Sequence, residues 1–191
     1  NNSKSILIIL HGLEGSSSSQ YVKGLVNTMS DTQIDICAVN HRSCSGELNK
    51  TIGFYHSGFT KDLRYIVQKL ELIYEEIYIA GFSLGGNIAL KYAGEEGESI
   101  SPAIKSIAAV SVPIHLSSSS KKLNAWYNIP YSIQFLQTLK KKAIAKALMF
   151  DNTLPFANEY ASIKTLLEYD NKITAPLHDF SDAEDYYAKS S

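Results

Sequence analysis

The sequence predicts an α/β fold with a parallel sheet, and two patterns carry that prediction. Short apolar runs rich in β-branched residues alternate with segments of helical periodicity over residues 1–113. Strands joined by helical crossovers run parallel with right-handed connections, so helices cover both faces of such a sheet. A chain of 191 residues with 45% hydrophobic content can bury a core of this kind, which excludes a disordered protein.

Four runs have the composition of buried strands, and helical stripes separate them. The strands are predicted at residues 5–10, 34–39, 77–80 and 104–112. The clearest helical stripe lies between residues 57 and 76, where the apolar positions are Phe59, Leu63, Ile66, Val67, Leu70, Ile73 and Tyr74. Shorter stripes at residues 21–29 and 84–92 complete a βαβαβαβ order.

The chain after Pro113 has a different character and is predicted to be helical. Apolar stripes follow at residues 133–139, 143–150 and 163–167, and Ser181-Asp-Ala-Glu184 has the spacing of a capping box at a final helix. We therefore expect two domains, an α/β core over residues 1–113 and a helical cap or insertion over residues 114–191.

Charge and hydropathy exclude two classes of partner. Eighteen Lys and Arg against nineteen Asp and Glu give a net charge of -1 without a long block of one sign, so nucleic acid is not an expected partner. The apolar run Ile6–Leu10 is shorter than a membrane span or a signal-peptide core, so no transmembrane segment is expected. Two cysteines, Cys37 and Cys44, are too few to stabilise a fold of this size by disulfides, and their spacing is not that of a metal site. Both observations favour reduced thiols and a cytoplasmic protein.

The segment Gly81-Phe-Ser83-Leu-Gly85 has the context of a nucleophile elbow. It directly follows the third predicted strand and opens the next helix. A strand that turns straight into a helix forces the middle residue into a strained conformation, and flanking glycines remove side chains that would collide there. Ser83 is therefore the candidate nucleophile, and the alternative is an ordinary glycine-rich helix entry. A dinucleotide-binding fingerprint is excluded, because it requires glycine at the position of Ser83.

An acyl-transfer nucleophile also requires hydrogen-bond donors for the oxyanion. One is expected from the amide after the nucleophile, here Leu84, and the second from the loop after a neighbouring strand. The segment His11-Gly-Leu-Glu-Gly15 places the Leu13 amide in that loop, although a plain tight turn or a phosphate-cradling loop has the same composition. The first and third strands must then be neighbours, so we expect the strand order second, first, third, fourth.

Five segments together resemble the YheT-type branch of the α/β-hydrolase superfamily. They are His11-Gly-Leu-Glu-Gly-Ser-Ser17, Asn40-His-Arg-Ser-Cys-Ser-Gly-Glu47, Phe54-Tyr-His-Ser-Gly58, Gly81-Phe-Ser-Leu-Gly-Gly-Asn87 and Ala175-Pro-Leu-His-Asp-Phe-Ser-Asp-Ala-Glu-Asp-Tyr-Tyr187. The resemblance implies that Ser83 is the nucleophile and that Leu13 and Leu84 form the oxyanion hole. It also implies an ester substrate, with acylglycerols and other lipid esters among the candidates.

The same resemblance implies that parts of the family fold are missing from this sequence. The core is expected to lack the first two and last two strands of the complete fold, and the triad base and acid are expected C-terminal of Ser191. The histidines at positions 11, 41, 56 and 178 have structural interpretations. His115, just past the fourth strand, is the best-placed substitute base. No aspartate follows a fourth or later strand in the pattern that the catalytic acid requires.

The sequence thus predicts a serine hydrolase that cleaves carboxylic esters through an acyl-enzyme intermediate. No cofactor and no metal are expected, and the expected partner is a small-molecule or lipid ester. The competing hypothesis is a non-catalytic hydrolase-like protein that binds a ligand or partner, or an inactive fragment of the enzyme.

Overall fold

The computed structural model describes residues 3–150 and 162–191. These residues form two compact units. The first takes in the described residues of Asn1–Ser45 and Ser57–Pro113, and the second those of Gly46–His56 and Ile114–Ser191. The chain therefore enters the second unit twice, first with a short segment after the second strand and then with all residues after Pro113.

The first unit is built on a four-stranded parallel sheet in the order β2-β1-β3-β4. This confirms both the parallel sheet and the strand order expected from the sequence. The strands are β1 (Ser5–Leu10), β2 (Ile34–Val39), β3 (Glu76–Phe82) and β4 (Ile104–Val110). The helices between them are α1 (Gln20–Thr28), α2 (Lys61–Leu70) and α3 (Leu84–Glu96).

Strand β1 lies at the centre of the sheet and is its most buried element. All its residues after Ser5 are buried, because β2 and β3 flank it on both edges. In the parallel register Leu10 pairs with Val39 on one side and with Gly81 on the other. The loops that follow β1, β2 and β3 therefore leave the same end of the sheet side by side, where active sites of open α/β sheets are found.

The second unit is helical. Its helices are α4 (Leu116–Leu123), α5 (Ile129–Met149), α6 (Leu166–Tyr169), α7 (Ala175–Leu177) and α8 (Ala183–Ser190), and a π-helical turn at Asp170–Thr174 joins α6 to α7. The two stripes predicted at residues 133–150 belong to one continuous helix of 21 residues.

The predicted capping box at residues 181–184 is wrong by one position. Asp182 is the N-cap of α8, and its carboxylate accepts a hydrogen bond from the Asp185 amide at 2.8 Å. A capping box does occur at α6, where Thr165 and Glu168 bond reciprocally to each other's backbone amides. Aspartate and serine are both good N-caps, so composition alone does not choose between neighbouring positions.

A buried lysine ties the segment Gly46–His56 to helix α5. The Lys146 side chain is fully buried, and its ammonium donates to the Asn49 carbonyl, the Asn49 side-chain oxygen and the Thr51 carbonyl at 2.7–2.9 Å. The same nitrogen lies 4.6 Å from the centre of the Phe54 ring. A buried charge is tolerated only when it is fully hydrogen-bonded, so these contacts explain why this segment belongs to the second unit.

No helix within residues 3–150 and 162–191 combines the length and apolar character needed to cross a membrane. In the same part of the chain, no three His, Cys, Asp or Glu side chains are grouped as a metal site. Cys37, which is half-buried, and Cys44, which is buried, are not joined by a disulfide.

Candidate active site

Ser83 occupies the turn between β3 and α3 with a left-handed backbone conformation. Its φ is 51° and its ψ is -119°, a region that non-glycine residues rarely adopt. Such a conformation costs on the order of 1–3 kcal/mol and persists only when the surroundings impose it. The strained strand-to-helix turn predicted for the elbow is therefore present, and Ser83 is half-buried at its apex.

Three glycines make this turn sterically feasible. A Cβ atom on Gly81 would lie 2.5 Å from the Gly85 carbonyl oxygen, and one on Gly86 would lie 2.9 Å from the Gly81 carbonyl oxygen. A Cβ atom on Gly85 would lie 2.5 Å from the carbonyl oxygens of both Leu10 and His11. Helix α3 thus begins in direct contact with the end of β1, which any side chain at these positions would prevent.

The loop after β1 lies against the candidate nucleophile. A Cβ atom on Gly12 would be 3.2 Å from the Ser83 Cβ and 3.4 Å from the Phe82 carbonyl oxygen. Leu13 follows Gly12 in this loop, and Leu84 is the first residue of α3. The first amides of a helix have no acceptor within the helix, so the Leu84 amide has the character that an oxyanion donor needs.

Two buried histidines hold the loop after β1. The Nδ1 atom of His11 lies 2.7 Å from the Gly12 carbonyl oxygen, and its Nε2 atom lies 3.1 Å from the backbone nitrogen of His41. The Nε2 atom of His41 in turn lies 3.0 Å from the His11 carbonyl oxygen. Burial, reinforced by the neighbouring His11, lowers the pKa of His41 from 6.5 to about 3, so this ring is neutral at physiological pH.

The segment after β2 is itself anchored on two sides. The Asn40 side-chain oxygen accepts a hydrogen bond from the Ser17 amide at 2.8 Å, which joins this segment to the loop after β1. The Arg42 guanidinium binds the Asp62 carboxylate through two hydrogen bonds of 2.8 and 2.7 Å and stacks over Phe59. Residues 40–42 therefore hold the loop after β1 in place. Sequence reasoning placed His41 in a loop but missed this contact, which the neighbouring ends of β1 and β2 could have indicated.

Within the described residues of the first unit, no side chain hydrogen-bonds to the Ser83 hydroxyl. The three histidines of the second unit have structural contacts there. The Nδ1 atom of His115 accepts a hydrogen bond from the Ser118 amide at 3.2 Å and so caps α4. The His56 and His178 rings lie 4.5 Å apart, in an aromatic cluster with Phe180 and Tyr186. The arrangement at Ser83 can supply a positioned hydroxyl and amide donors.

Comparison with known proteins identifies the family. A family model described as alpha/beta hydrolase fold matches residues 5–156. The YheT protein of Escherichia coli is 32% identical over 188 residues, which cover 97% of this chain and 55% of YheT. The monoacylglycerol lipase of Saccharomyces cerevisiae is 29% identical over 199 residues, covering all of this chain and 44% of the lipase. The chain thus spans about half the length of these curated relatives.

Solved structures share the fold at low sequence identity. Est1E from Butyrivibrio proteoclasticus, determined with ferulic acid, is 18% identical with a TM-score of 0.53, and the match covers 64% of this chain and 48% of Est1E. The Pyrococcus furiosus esterase Pf2001 is 20% identical with a TM-score of 0.53, over 91% of this chain and 60% of the esterase. The family match, the parallel sheet and the strained serine turn agree, and the chain belongs to the α/β-hydrolase fold family.

Proposed function

We propose that this protein is a serine hydrolase that cleaves carboxylic esters through an acyl-enzyme intermediate, with Ser83 as the nucleophile. The observation that carries the proposal is the left-handed conformation of Ser83, held by glycines, with the loop after β1 packed against it. A protein that used this turn only for packing would gain nothing from serine there, since glycine adopts the same conformation without strain.

In the proposed reaction a general base removes the proton from the Ser83 hydroxyl as its oxygen attacks the ester carbonyl carbon. The backbone amides of Leu13 and Leu84 donate hydrogen bonds to the oxyanion that forms. The carbon–oxygen bond to the alcohol then breaks, and the base returns its proton to the departing alcohol. Water attacks the acyl-enzyme by the same route and releases the carboxylic acid together with free Ser83.

We also propose that the base and acid of the triad are supplied by residues C-terminal of Ser191. Two observations support this: the Ser83 hydroxyl has no hydrogen bond within the described first unit, and the chain spans about half of its relatives' length. The proposed substrates are lipid esters, because relatives carry the names monoacylglycerol lipase and phospholipase ABHD3. The proposed chemistry requires no cofactor.

Labelling by a fluorophosphonate probe and hydrolysis of p-nitrophenyl esters test the nucleophile in the complete gene product. Ser83→Ala should abolish labelling. It should also reduce the rate of hydrolysis to a residual acceleration of about 10³- to 10⁴-fold over the uncatalysed reaction in water. The matched control is Ser106→Ala, the same change at an exposed position of β4, which should leave both measurements unchanged. Full labelling of Ser83→Ala would assign the nucleophile to another residue.

A second comparison tests where the base resides. Residues 1–191 expressed alone should be labelled far more slowly than the complete gene product, with circular dichroism confirming that the short chain is folded. Equal labelling of the folded short chain would place the base within this sequence, with His115 as the first candidate.

A second candidate function is a non-catalytic protein that binds a ligand or partner. The observation in its favour is that no side chain in the described first unit is positioned to activate Ser83 by a hydrogen bond. The two candidates differ in one result, because a non-catalytic protein would resist the probe even as the complete gene product.

A further inference from the structure

We propose that His11 is a positioning residue for the oxyanion hole, and that His41 selects the tautomer in which His11 acts. The proposal rests on the proposed function, because the oxyanion hole is part of it. It assigns a role to two buried histidines that are neither the nucleophile nor its base.

The peptide between Gly12 and Leu13 is held in one direction by its carbonyl oxygen. This oxygen contacts His11 Nδ1 at 2.7 Å and accepts a second hydrogen bond from the Gly15 amide at 3.0 Å. The peptide is trans, so its carbonyl and its N–H point in opposite directions. Anchoring the oxygen therefore directs the Leu13 N–H away from the His11 ring. A peptide turned the other way would present a carbonyl where the Leu13 donor is needed.

The two peptide units around Gly12 contain four polar groups, and three of them are hydrogen-bonded within the first unit. The His11 carbonyl contacts His41 Nε2, the Gly12 amide donates to the Tyr21 hydroxyl at 2.9 Å, and the Gly12 carbonyl is bonded as described above. Among the residues that the structure describes, only the fourth group, the Leu13 N–H, has no hydrogen-bond acceptor. These two peptide units thus leave without a partner only the one donor that the reaction would use.

The hydrogen bonds of the two histidines determine their tautomers. The His41 backbone N–H donates to His11 Nε2, so that nitrogen carries no proton and the proton of neutral His11 is on Nδ1. His11 can then donate to the Gly12 carbonyl. The His11 carbonyl can only accept, so neutral His41 carries its proton on Nε2. Both residues are buried, with relative exposures of 0% and 8%.

Substitutions at position 11 separate positioning from simple loss of stability. In the complete gene product, His11→Asn places an amide nitrogen near the position of Nδ1, whereas His11→Gln places it nearer to Nε2. We expect His11→Gln to lower kcat towards the value for loss of an oxyanion donor, about 10²-fold, with KM unchanged. His11→Asn should restore most of kcat. The control is Val67→Ala on α2, buried in the same unit, which should lower Tm while kcat is retained.

Nitrogen-15 NMR of the histidine rings provides a readout that does not depend on the variants' folding. The wild-type spectrum should show His11 protonated at Nδ1 and His41 protonated at Nε2. A spectrum with His11 protonated at Nε2 would overturn the proposal, as would a folded His11→Gln variant with unchanged kcat. If Ser83→Ala retained activity, the proposed function would fail instead. Loss of activity in Ser83→Ala together with normal kcat in His11→Gln would refute only the positioning role.

Discussion

Gly12 and Ser83 lie so close that a Cβ atom on Gly12 would be only 3.2 Å from the Ser83 Cβ. The two residues follow neighbouring parallel strands, β1 and β3, whose ends are aligned by the pairing of Leu10 with Gly81. This strand pairing brings the two residues together. How closely they approach depends on how tightly α3 packs against the end of β1. The glycines of the elbow control that packing.

Gly85→Ala is expected to destabilise the first unit strongly. Its new Cβ atom would lie 2.5 Å from the carbonyl oxygens of Leu10 and His11, which are backbone atoms of the central strand and its loop. Relief requires α3 to move, so we expect a loss of about 3 kcal/mol or more in the free energy of unfolding. Urea denaturation measures this loss.

Gly94→Ala is the matched control, because it is the same change within the same helix α3. A Cβ atom at Gly94 would meet no atom within 4 Å, and its φ is not in the left-handed region. Alanine is the better helix former, so the protein should gain about 1 kcal/mol of stability. Equal destabilisation by both substitutions would show that helix propensity, and not the contact with β1, decides the effect at Gly85.

Ser83→Gly should separate stability from activity. Glycine adopts a φ of 51° without a steric penalty, whereas alanine retains the strain that serine bears. We therefore expect Ser83→Gly to be about 1 kcal/mol more stable than Ser83→Ala, while both lose the nucleophile. Thermal unfolding of the two variants side by side measures the difference. Equal stability would mean that the left-handed turn is not strained in solution.

Lys146→Met is expected to destabilise the second unit. Methionine fills a similar volume, but the carbonyl groups of Asn49 and Thr51 and the Asn49 side-chain oxygen would lose the donor that the buried Lys146 ammonium supplies. The expected loss is about 3 kcal/mol, since a hydrogen bond to a charged group contributes roughly 1.5–3 kcal/mol. Lys141→Met is the control on the exposed side of the same helix and should change stability by less than about 0.5 kcal/mol. A small effect at Lys146 in denaturant titrations would indicate that water replaces its contacts.

Asp170 should make the stability of the second unit fall as pH rises. Desolvation raises its pKa from 3.8 to about 6, although the hydroxyls of Tyr187 and Thr174, which donate to it, act in the opposite direction. Between pH 3.8 and 6 the folded state therefore holds a proton that the unfolded state has lost, so the free energy of unfolding decreases by up to about 3 kcal/mol. Above pH 6 the free energy of unfolding decreases no further from this cause.

The measurement is the difference in unfolding free energy between wild type and Asp170→Asn at a series of pH values. This difference removes the effect of His41, whose lowered pKa makes the first unit gain stability as pH rises from about 3 to 6.5. Asp170→Asn should become more stable relative to wild type as the pH rises from about 4 to 6. A difference that is independent of pH would refute the raised pKa of Asp170.

Much of the first unit could be predicted from local pattern. The strand predictions at residues 5–10 and 34–39 match β1 and β2, and the elbow follows β3 as expected. These signals are strong because buried parallel strands are nearly uniform in hydrophobicity and are punctuated by glycine-containing turns. The segment Gly46–His56 could not be assigned in this way, since what places it in the second unit is a contact with Lys146, about a hundred residues later in the sequence.

The sequence by itself determined the α/β class, the order of the strands and the identity of Ser83 as the candidate nucleophile. The class and the nucleophile depend on periodicity and on a short motif, and the strand order follows from the need for the loop after β1 to lie beside the elbow. Only the tertiary structure revealed the contact between His11 and His41, which lie 30 residues apart. Their hydrogen bonds exist because parallel pairing aligns the ends of β1 and β2. A buried histidine's partner and tautomer are set by the atoms around it in space, and those atoms come from a different strand.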